Sequence, residues 1–402
     1  AAGKAFVIAT FLVTALGAAL VHRALFRRWS AWPCLVFLLL YNRLLLWGVL
    51  NYLFGLGLAL CAFALMLALD RRGLALRLAV GVVAVLVLYL AHLMAFGVYA
   101  VLVVGAALRV SFRRAVLAAL PLLPPIALML AWGGGGGGMV SFAEPWRKLD
   151  LLFSVFDLYH RPFDIACFVL IVATLGFAYC RRWLVLAPSL AVPLAMLALL
   201  YLVSPSQMLG ASGIDRRFPL ALALIVVAGS AWAAPRPALE RGLLAAAAVM
   251  FLLRLGTVAL SWQASAREYA AILPALDALP AGARVAVAAP PEATNVSATP
   301  LVHLPVLAAA LRDAFVPTLF AIPGQQPIAF APDRRAVAVA TGPDLLWRAL
   351  GADGTLDPRV AGLLAHYDYV AVAGVRPFDV VPRPGLVPVF ETPRFKLFRL
   401  GG

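Results

Sequence analysis

Long apolar segments separated by short polar loops fill the first two thirds of the 402-residue chain. A predominantly apolar segment of roughly 17–25 residues is long enough to cross a bilayer as a helix. We predict about ten such segments, and the shorter ones are expected to be tilted or broken helices. The segments are 5–21, 32–49, 52–69, 78–93, 95–108, 115–132, 164–179, 183–203, 218–234 and 242–260. The pattern predicts an α-helical polytopic membrane protein whose transmembrane domain covers residues 1–261.

Residues 262–402 have shorter apolar runs that alternate between helical and strand periodicity. This alternation is typical of a small α/β domain. We predict helices at 267–278, 302–313, 343–350 and 358–366, strands at 284–289, 327–331 and 369–373, and a final hairpin that pairs 386–391 with 394–400. The glycine-rich dinucleotide motif, the nucleophile-elbow motif and the zinc-protease motif are all absent from this domain.

The composition supports the membrane assignment. Hydrophobic residues make up 64% of the chain and charged residues 13%, against roughly 45–50% and 25% in soluble domains. These values exclude a soluble globular enzyme, because the polar residues are too few to cover its surface. The net charge of +15 comes almost entirely from residues 1–261, which hold 21 basic and 7 acidic residues. Since this excess lies in short loops between apolar segments, we predict no nucleic-acid binding.

The distribution of arginine among the loops predicts the orientation. Alternate loops hold thirteen basic residues and only two acidic ones, Asp70 and Glu240. The positive-inside rule makes these loops cytoplasmic and places residues 262–402 outside the membrane. Residue 1 is then also expected outside, although the first residues of the sequence do not have the pattern of a signal peptide. We therefore expect a further span, with the loop that follows it, upstream of this sequence.

The longest extracytoplasmic loop of the transmembrane domain covers residues 133–163. It opens with six consecutive glycines, 133–138, which no Lys-Ser or Lys-Thr pair follows, so it is not a phosphate-binding P-loop. We expect a flexible tether there. We expect an interfacial helix after it, with Trp146, Phe153, Phe156 and Tyr159 at the membrane surface.

The segment 213–218, Gly-Ile-Asp-Arg-Arg-Phe, is the strongest candidate binding site. It precedes the ninth predicted span, on the side where basic residues are scarce. The guanidinium groups of Arg216 and Arg217 would hold a phosphate by bidentate hydrogen bonds. In the alternative interpretation, Asp215 pairs with one of these arginines and anchors the end of the helix.

Two further polar residues lie at the ends of predicted spans and have two interpretations each. Arg43 either extends its side chain to the lipid headgroups or binds the phosphate of a lipid in the outer leaflet. His92 is either a structural hydrogen-bonding residue or a catalytic base.

The carboxylates of the loop 133–163 and its border are candidates for general-base or divalent-metal chemistry. Asp157 and Asp164 are the two that are expected to face a cleft. The transmembrane domain has no closely spaced carboxylate pair, and the chain has no Cys-x-x-Cys spacing. We therefore assign no metal ligand and no cofactor. Dependence on a divalent metal is the alternative that the sequence leaves open. Arg254, inside the last span, is expected to pair within the helical bundle or to reach the headgroups.

The stretches LLLWGVLNYLFGLGLALCAFALMLALDRR and LYLAHLMAFGVYAVLVVGAALR resemble a group of bacterial multi-span membrane proteins that are similar to the GT-C glycosyltransferase superfamily. The resemblance continues through DRRF, the SW…ALDALPAGARV segment and the YDYVAV…FKLFRL ending, and so covers nearly the whole chain. It implies many spans, an extracytoplasmic active site and a polyprenyl-phosphate sugar as donor. In that superfamily an acidic residue of the first outer loop usually serves as base or metal ligand, and this loop would precede Ala1.

The resulting hypothesis is a glycosyltransferase-like protein of the bacterial inner membrane. Arg216 and Arg217 are expected to bind the donor phosphate, and Asp157 or an upstream acid to act as the base. The two alternatives are a transporter or flippase, and a non-catalytic envelope assembly protein that acts through its outer domain. We find no internal repeat of the kind that transporters usually have.

Overall fold

The computed structural model forms two compact units, Ala1–Thr257 and Val258–Gly402. The residues it describes are 2–131, 140–208, 211–291, 300–321, 328–351 and 356–401. The six-glycine segment predicted to be a tether lies outside the described residues.

Unit 1 is mainly helical. Its helices are α1 (Ala2–Phe26), α2 (Phe37–Leu40), α3 (Arg43–Leu46), α4 (Leu50–Ala68), α5 (Leu74–Ala91), α6 (Leu93–Leu108), α7 (Phe112–Ala119), α8 (Leu123–Ala131), α9 (Pro145–Phe153), α10 (Arg161–Cys180), α11 (Ala191–Val203), α12 (Phe218–Ala228) and α13 (Pro237–Asp277), the last of which also contains residues of unit 2. Two short antiparallel pairs accompany them: β1 (Leu184–Leu186) with β4 (Ser230–Trp232), and β2 (Gln207–Met208) with β3 (Ala211–Ser212).

Six helices of the described chain are long and apolar enough to cross a membrane: α1, α4, α5, the combined Phe112–Ala131 segment, α10 and α13. They coincide with six of the ten predicted spans. Their outward faces are apolar, and in the hydrophobic windows of α5, α10 and α13 only 17%, 17% and 11% of the residues are buried. Exposed apolar helices of this length are typical of a membrane protein.

The other four predicted spans form shorter elements, so ten full-length helices are not confirmed. The region 32–49 divides into a 3₁₀ helix that contains Pro33, then α2 and α3. The break lies at Asn42, whose side chain donates to the carbonyls of Leu39 and Leu40 and accepts a bond from the Leu45 N–H. The region 183–203 begins with β1, and 218–234 ends with β4. The remaining predicted span, 95–108, forms α6, which has only 16 residues.

Helix α12, which forms most of the ninth predicted span, is largely buried in unit 1. Eight of the eleven residues of α12 are buried. Interrupted backbone at membrane depth is tolerated only where other protein groups satisfy its hydrogen bonds. The pairing of β1 with β4 supplies such bonds for the two interrupted segments, with Leu184 opposite Trp232.

The closest helix packing in unit 1 joins α1 to α4 through small residues. A Cβ atom at Gly17 would lie 2.8 Å from the Gly57 carbonyl oxygen, and one at Gly57 would lie 2.9 Å from the Thr14 nitrogen. Small residues let two helix backbones approach in this way, which increases the dispersion attraction between them. The contact fixes the position of α4, whose first turn carries Tyr52.

Unit 2 is an α/β domain built on a four-stranded sheet. The strands are β5 (Val285–Ala288), β6 (Tyr369–Ala373), β7 (Leu386–Glu391) and β8 (Phe395–Leu400), in the order β5-β6-β8-β7. The β5–β6 pair is parallel and the other pairs are antiparallel. The helices are the end of α13, α14 (Leu307–Arg312), α15 (Pro332–Ala340), α16 (Pro343–Gly351) and α17 (Pro358–Leu364).

Both faces of this sheet are buried. Val285, Val287 and Phe395 pack on one face with Ile272 and Leu276 of α13. On the other face Ala286, Val370 and Phe398 pack with side chains of α16 and α17. This two-sided burial explains why β5 and β6 are continuous apolar runs in the sequence.

One prediction for unit 2 is wrong, and another is confirmed only in part. Residues 328–331 of the predicted strand 327–331 form no strand, and α15 begins directly after them at Pro332. The predicted helix 302–313 is a 3₁₀ helix, Pro300–Val306, followed by the short α14. Pro305 interrupts regular α-helical hydrogen bonding in this segment, because proline has no backbone N–H.

An ion pair joins the starts of the two parallel strands. Arg284 donates from its backbone N–H (2.9 Å) and its Nε (3.0 Å) to Asp368 Oδ2, and its Nη2 bonds the other carboxylate oxygen. These hydrogen bonds lower the pKa of the Asp368 carboxyl below its usual range. The pair is about one-third exposed, so its contribution to stability is at most about 1 kcal/mol.

Asp368→Asn is expected to increase amide hydrogen exchange in β6 of the full-length protein by up to about fivefold at pH 7. A lowered carboxyl pKa stabilises the folded state above about pH 4, and this stability is lost as the pH falls through the pKa of Asp368. After correction for intrinsic exchange, the difference between the variant and the natural protein should therefore be smaller at pH 3 than at pH 7. An equal difference at both pH values would contradict this assignment.

Candidate functional site

Arg43 and Asp157 form a buried ion pair at one end of unit 1. Asn42 caps the first turn of α3, which places Arg43 there, and the Arg43 backbone N–H donates to the Ser154 carbonyl at 3.2 Å. The Arg43 guanidinium contacts the Asp157 carboxylate, and the two side chains are 14% and 5% exposed. A second guanidinium, that of Arg161, lies 3.8 Å from the same carboxylate. The backbone and the guanidinium of Arg43 are therefore both held by other groups of unit 1.

The environment of Asp157 has opposing effects on its acidity. Burial raises the pKa of the carboxyl above its usual range, while the charges of Arg43 and Arg161 lower it. Burial has the larger effect. A carboxylate with a raised pKa accepts a proton more readily near neutral pH, which is the property a general base needs.

The indole ring of Trp47 connects Arg43 to Arg216. The Arg216 guanidinium carbon lies 4.3 Å from the ring centroid, and that of Arg43 lies 5.8 Å from it. Gly213 has a φ of +66° and makes the turn that leads into the 3₁₀ helix Asp215–Arg217. Glycine adopts this left-handed conformation without steric cost. The turn brings the two arginines to the same aromatic side chain.

Arg217 and His92 meet through Tyr52. The Tyr52 hydroxyl donates to the Arg217 carbonyl oxygen at 2.7 Å, and the Tyr52 and His92 rings are 5.4 Å apart, edge to face. His92 Nδ1 accepts a hydrogen bond from the Met94 N–H and so caps the start of α6. The structure therefore gives His92 a structural role beside Arg217.

Arg216 and Arg217 differ from Arg43 and Arg254, whose guanidiniums pair with carboxylates. Among the described residues, no carboxylate oxygen lies within 4.0 Å of either guanidinium, and neither donates a side-chain hydrogen bond. The Arg217 Nε is buried and has no hydrogen-bond partner in the part of the chain that the structure describes. Burial lowers the pKa of both groups. Unpaired guanidiniums in a partly buried site have a strong tendency to bind an anion, because burial has removed part of their hydration.

Asp215 and Lys148 lie behind the two arginines. Asp215 is fully buried, and within the described chain it makes no ion pair with Arg216 or Arg217. Burial raises its pKa, while the charges of Lys148 and Arg216 lower it. Lys148 donates from Nζ to the carbonyls of Tyr201 (2.7 Å) and Ser204 (2.8 Å) at the end of α11. A cation is favourable at this end of a helix, where unpaired carbonyl oxygens concentrate.

We compared the chain with family models, with curated proteins and with solved structures. None of them matches it. The resemblance to GT-C glycosyltransferases is therefore a hypothesis, and the case for function depends on the geometry of the site.

The predicted site residues come together in one cluster, which we call the arginine site: Arg43, Asp157, Asp215, Arg216, Arg217 and His92, with Trp47 and Tyr52. Trp47 and Tyr52 make the connections, and sequence reasoning missed both as site residues. In the sequence, Trp47 is marked only by its position close to Arg43, and Tyr52 only by its position at the start of an apolar segment. The cluster combines a cationic side that suits a phosphate with a carboxylate that suits proton transfer.

Asp164 lies outside the arginine site and has a structural role. Its carboxylate accepts a hydrogen bond from Arg254 Nη1 at 2.7 Å and one from the Leu158 N–H at 3.0 Å. The Arg254 guanidinium also donates to the carbonyls of Phe156 and Tyr41. The expectation that Arg254 pairs within the bundle is confirmed. The described residues contain no group of three potential metal ligands.

The expected interfacial helix is only partly correct. α9 covers Pro145–Phe153, and Trp146 is exposed. Phe153 and Phe156, however, are buried in the core of unit 1, where both contact Phe168. Their burial holds the backbone that carries Asp157 against α10.

Proposed function

We propose that the chain is a membrane-embedded glycosyltransferase-like protein that uses a sugar linked to polyprenyl phosphate. The observation that carries the proposal is the unpaired state of the Arg216 and Arg217 guanidiniums at the end of a bundle of apolar helices. A phosphate group there would receive charge-assisted hydrogen bonds from both. The lipid part of the donor would lie along the exposed apolar helices.

The arginine site suits an inverting transfer. The acceptor hydroxyl oxygen attacks the anomeric carbon, and the bond from that carbon to the phosphate oxygen breaks, with its electron pair passing to the phosphate. Arg216 and Arg217 stabilise the charge that develops on the departing phosphate. Asp157 takes the proton of the acceptor hydroxyl, and Arg43 orients its carboxylate.

The proposed location is the bacterial inner membrane, with the arginine site and unit 2 on the extracytoplasmic side. The distribution of basic residues among the loops supports this orientation. In the structure, Arg28 follows the end of α1, Asp70 follows the end of α4, and Arg114 lies in the first turn of α7, in the regions that we assign to the cytoplasmic side.

The test is a transfer assay with the full-length protein in vesicles that contain labelled polyprenyl-phosphate sugars. Transfer of the label to a carbohydrate or lipid acceptor, with release of polyprenyl phosphate, is the expected result. Movement of the labelled lipid between leaflets without transfer would instead identify a flippase. If the protein retains the donor but neither transfers the sugar nor moves the lipid, the enzymatic proposal is contradicted. The protein would then be a binding protein.

A further inference from the structure

A cavity in unit 1, which we call the groove, lies between α4, α5, α6 and α7. Its volume is about 180 Å³, and its walls are mainly apolar, with Phe63, Leu67, Leu78, Val103 and Leu117 among the lining side chains. Pockets that enclose whole small molecules usually measure roughly 300–1,000 Å³. This cavity therefore suits a segment of an apolar chain whose remainder lies outside the protein.

Three charged residues line the mouth of this groove. Arg77 and Arg114 share one carboxylate, that of Asp70, at 3.4 Å and 3.7 Å. One positive charge is left over. Within the described chain, the Arg77 Nε is also buried without a hydrogen-bond partner. The mouth thus has unused donors and a net positive charge, while the interior is apolar.

The groove is separate from the arginine site. Tyr52 lies at the first turn of α4, and the groove is lined by the second half of that helix, from Phe63 to Leu67. Eleven residues of helix separate Tyr52 from Phe63, which corresponds to about 16 Å. No residue of the arginine site lines the groove, so a ligand in the groove would bind outside that site.

We propose that the groove binds an anionic phospholipid of the surrounding leaflet. Part of one acyl chain occupies the apolar cavity, and Arg77 and Arg114 hold the phosphate, while Asp70 pairs with both guanidiniums. The charge of the mouth selects an anionic headgroup, since a zwitterionic lipid presents no net charge to it. The apolar walls and the membrane-length helices α4 and α5 place this site at the edge of a bilayer.

The test measures lipid retention by native mass spectrometry. The full-length protein is purified from vesicles that contain equal amounts of phosphatidylglycerol and phosphatidylcholine. We expect it to retain one phosphatidylglycerol molecule, and the R77Q/R114Q variant to show roughly 20-fold weaker retention. R72Q/R113Q is the matched control, because these arginines are exposed neighbours that do not line the groove. We expect it to retain the lipid as the natural protein does.

A second variant tests the cavity itself. Ala118 lines the groove, and Ala118→Phe fills part of it without changing the charge. We expect retention to fall at least several-fold in this variant while the helical circular dichroism is preserved. Equal losses in R77Q/R114Q and R72Q/R113Q would overturn the proposal, as would unchanged retention in Ala118→Phe. Preferential retention of added polyprenyl phosphate over phosphatidylglycerol would overturn the choice of ligand.

Discussion

Asp164→Asn is expected to lower the free energy of unfolding of the full-length protein by about 3–5 kcal/mol. The substitution keeps the shape of the side chain and removes its charge. The Arg254 guanidinium, which is 3% exposed, would then be buried without a counter-ion. Its two remaining bonds, to the Phe156 and Tyr41 carbonyls, are 3.2 Å and 3.3 Å long and do not neutralise it. Reversible unfolding in mixed detergent micelles measures the effect.

Two comparisons separate a buried charge from a general effect of substitution. Asp150 pairs with Arg161 at 2.7 Å, and both side chains are about half exposed, so Asp150→Asn should cost at most about 1 kcal/mol. The double variant Asp164→Leu, Arg254→Met removes both charges and should be more stable than Asp164→Asn. If Asp164→Asn costs no more than Asp150→Asn, the ion pair does not hold α10 against α13.

The sequence predicted the long helices and the sheet of unit 2 because both leave simple periodic patterns. A stretch such as 50–68 has no charge for nineteen residues, and only a membrane or a protein core accommodates it. Hydropathy has no signal, however, that separates a lipid-facing helix from a buried one. The regions 183–203 and 218–234 are as apolar as the true long helices, and they break because β1 pairs with β4, a contact between residues almost fifty positions apart.

The charged residues of the arginine site could be predicted from the sequence, but the contacts that bring them together could not. Arg216 and Arg217 stand out in sequence because basic residues are scarce in their group of loops. Trp47 was indistinguishable from other aromatic residues at a membrane interface, and only the fold places its ring beside two guanidiniums. Asp157 and Asp164 looked equivalent, seven residues apart, until the structure gave them different arginine partners. Long-range pairing thus decides which charges are structural.

The R216Q/R217Q variant is expected to reduce sugar transfer by at least about 1,000-fold. Loss of one donor that stabilises developing charge typically lowers a rate by roughly 10²–10³, and this variant removes two. Stability should change little, because neither guanidinium has a carboxylate partner within 4.0 Å in the described chain whose loss would leave a buried charge. Initial rates of transfer at saturating donor, together with unfolding in the same detergent, separate the two effects.

A second pair of adjacent arginines, after α10, provides the matched control for R216Q/R217Q. Arg181 and Arg182 are exposed at the end of α10, far along the chain from the arginine site, and R181Q/R182Q should transfer at the natural rate. Arg217→Lys keeps the charge but loses the planar pair of donors, so an intermediate rate is expected. A natural rate for Arg217→Lys would mean that charge alone suffices. A natural rate for R216Q/R217Q would exclude the arginine site as the phosphate site, because no other group of this cluster is both cationic and unpaired among the described residues.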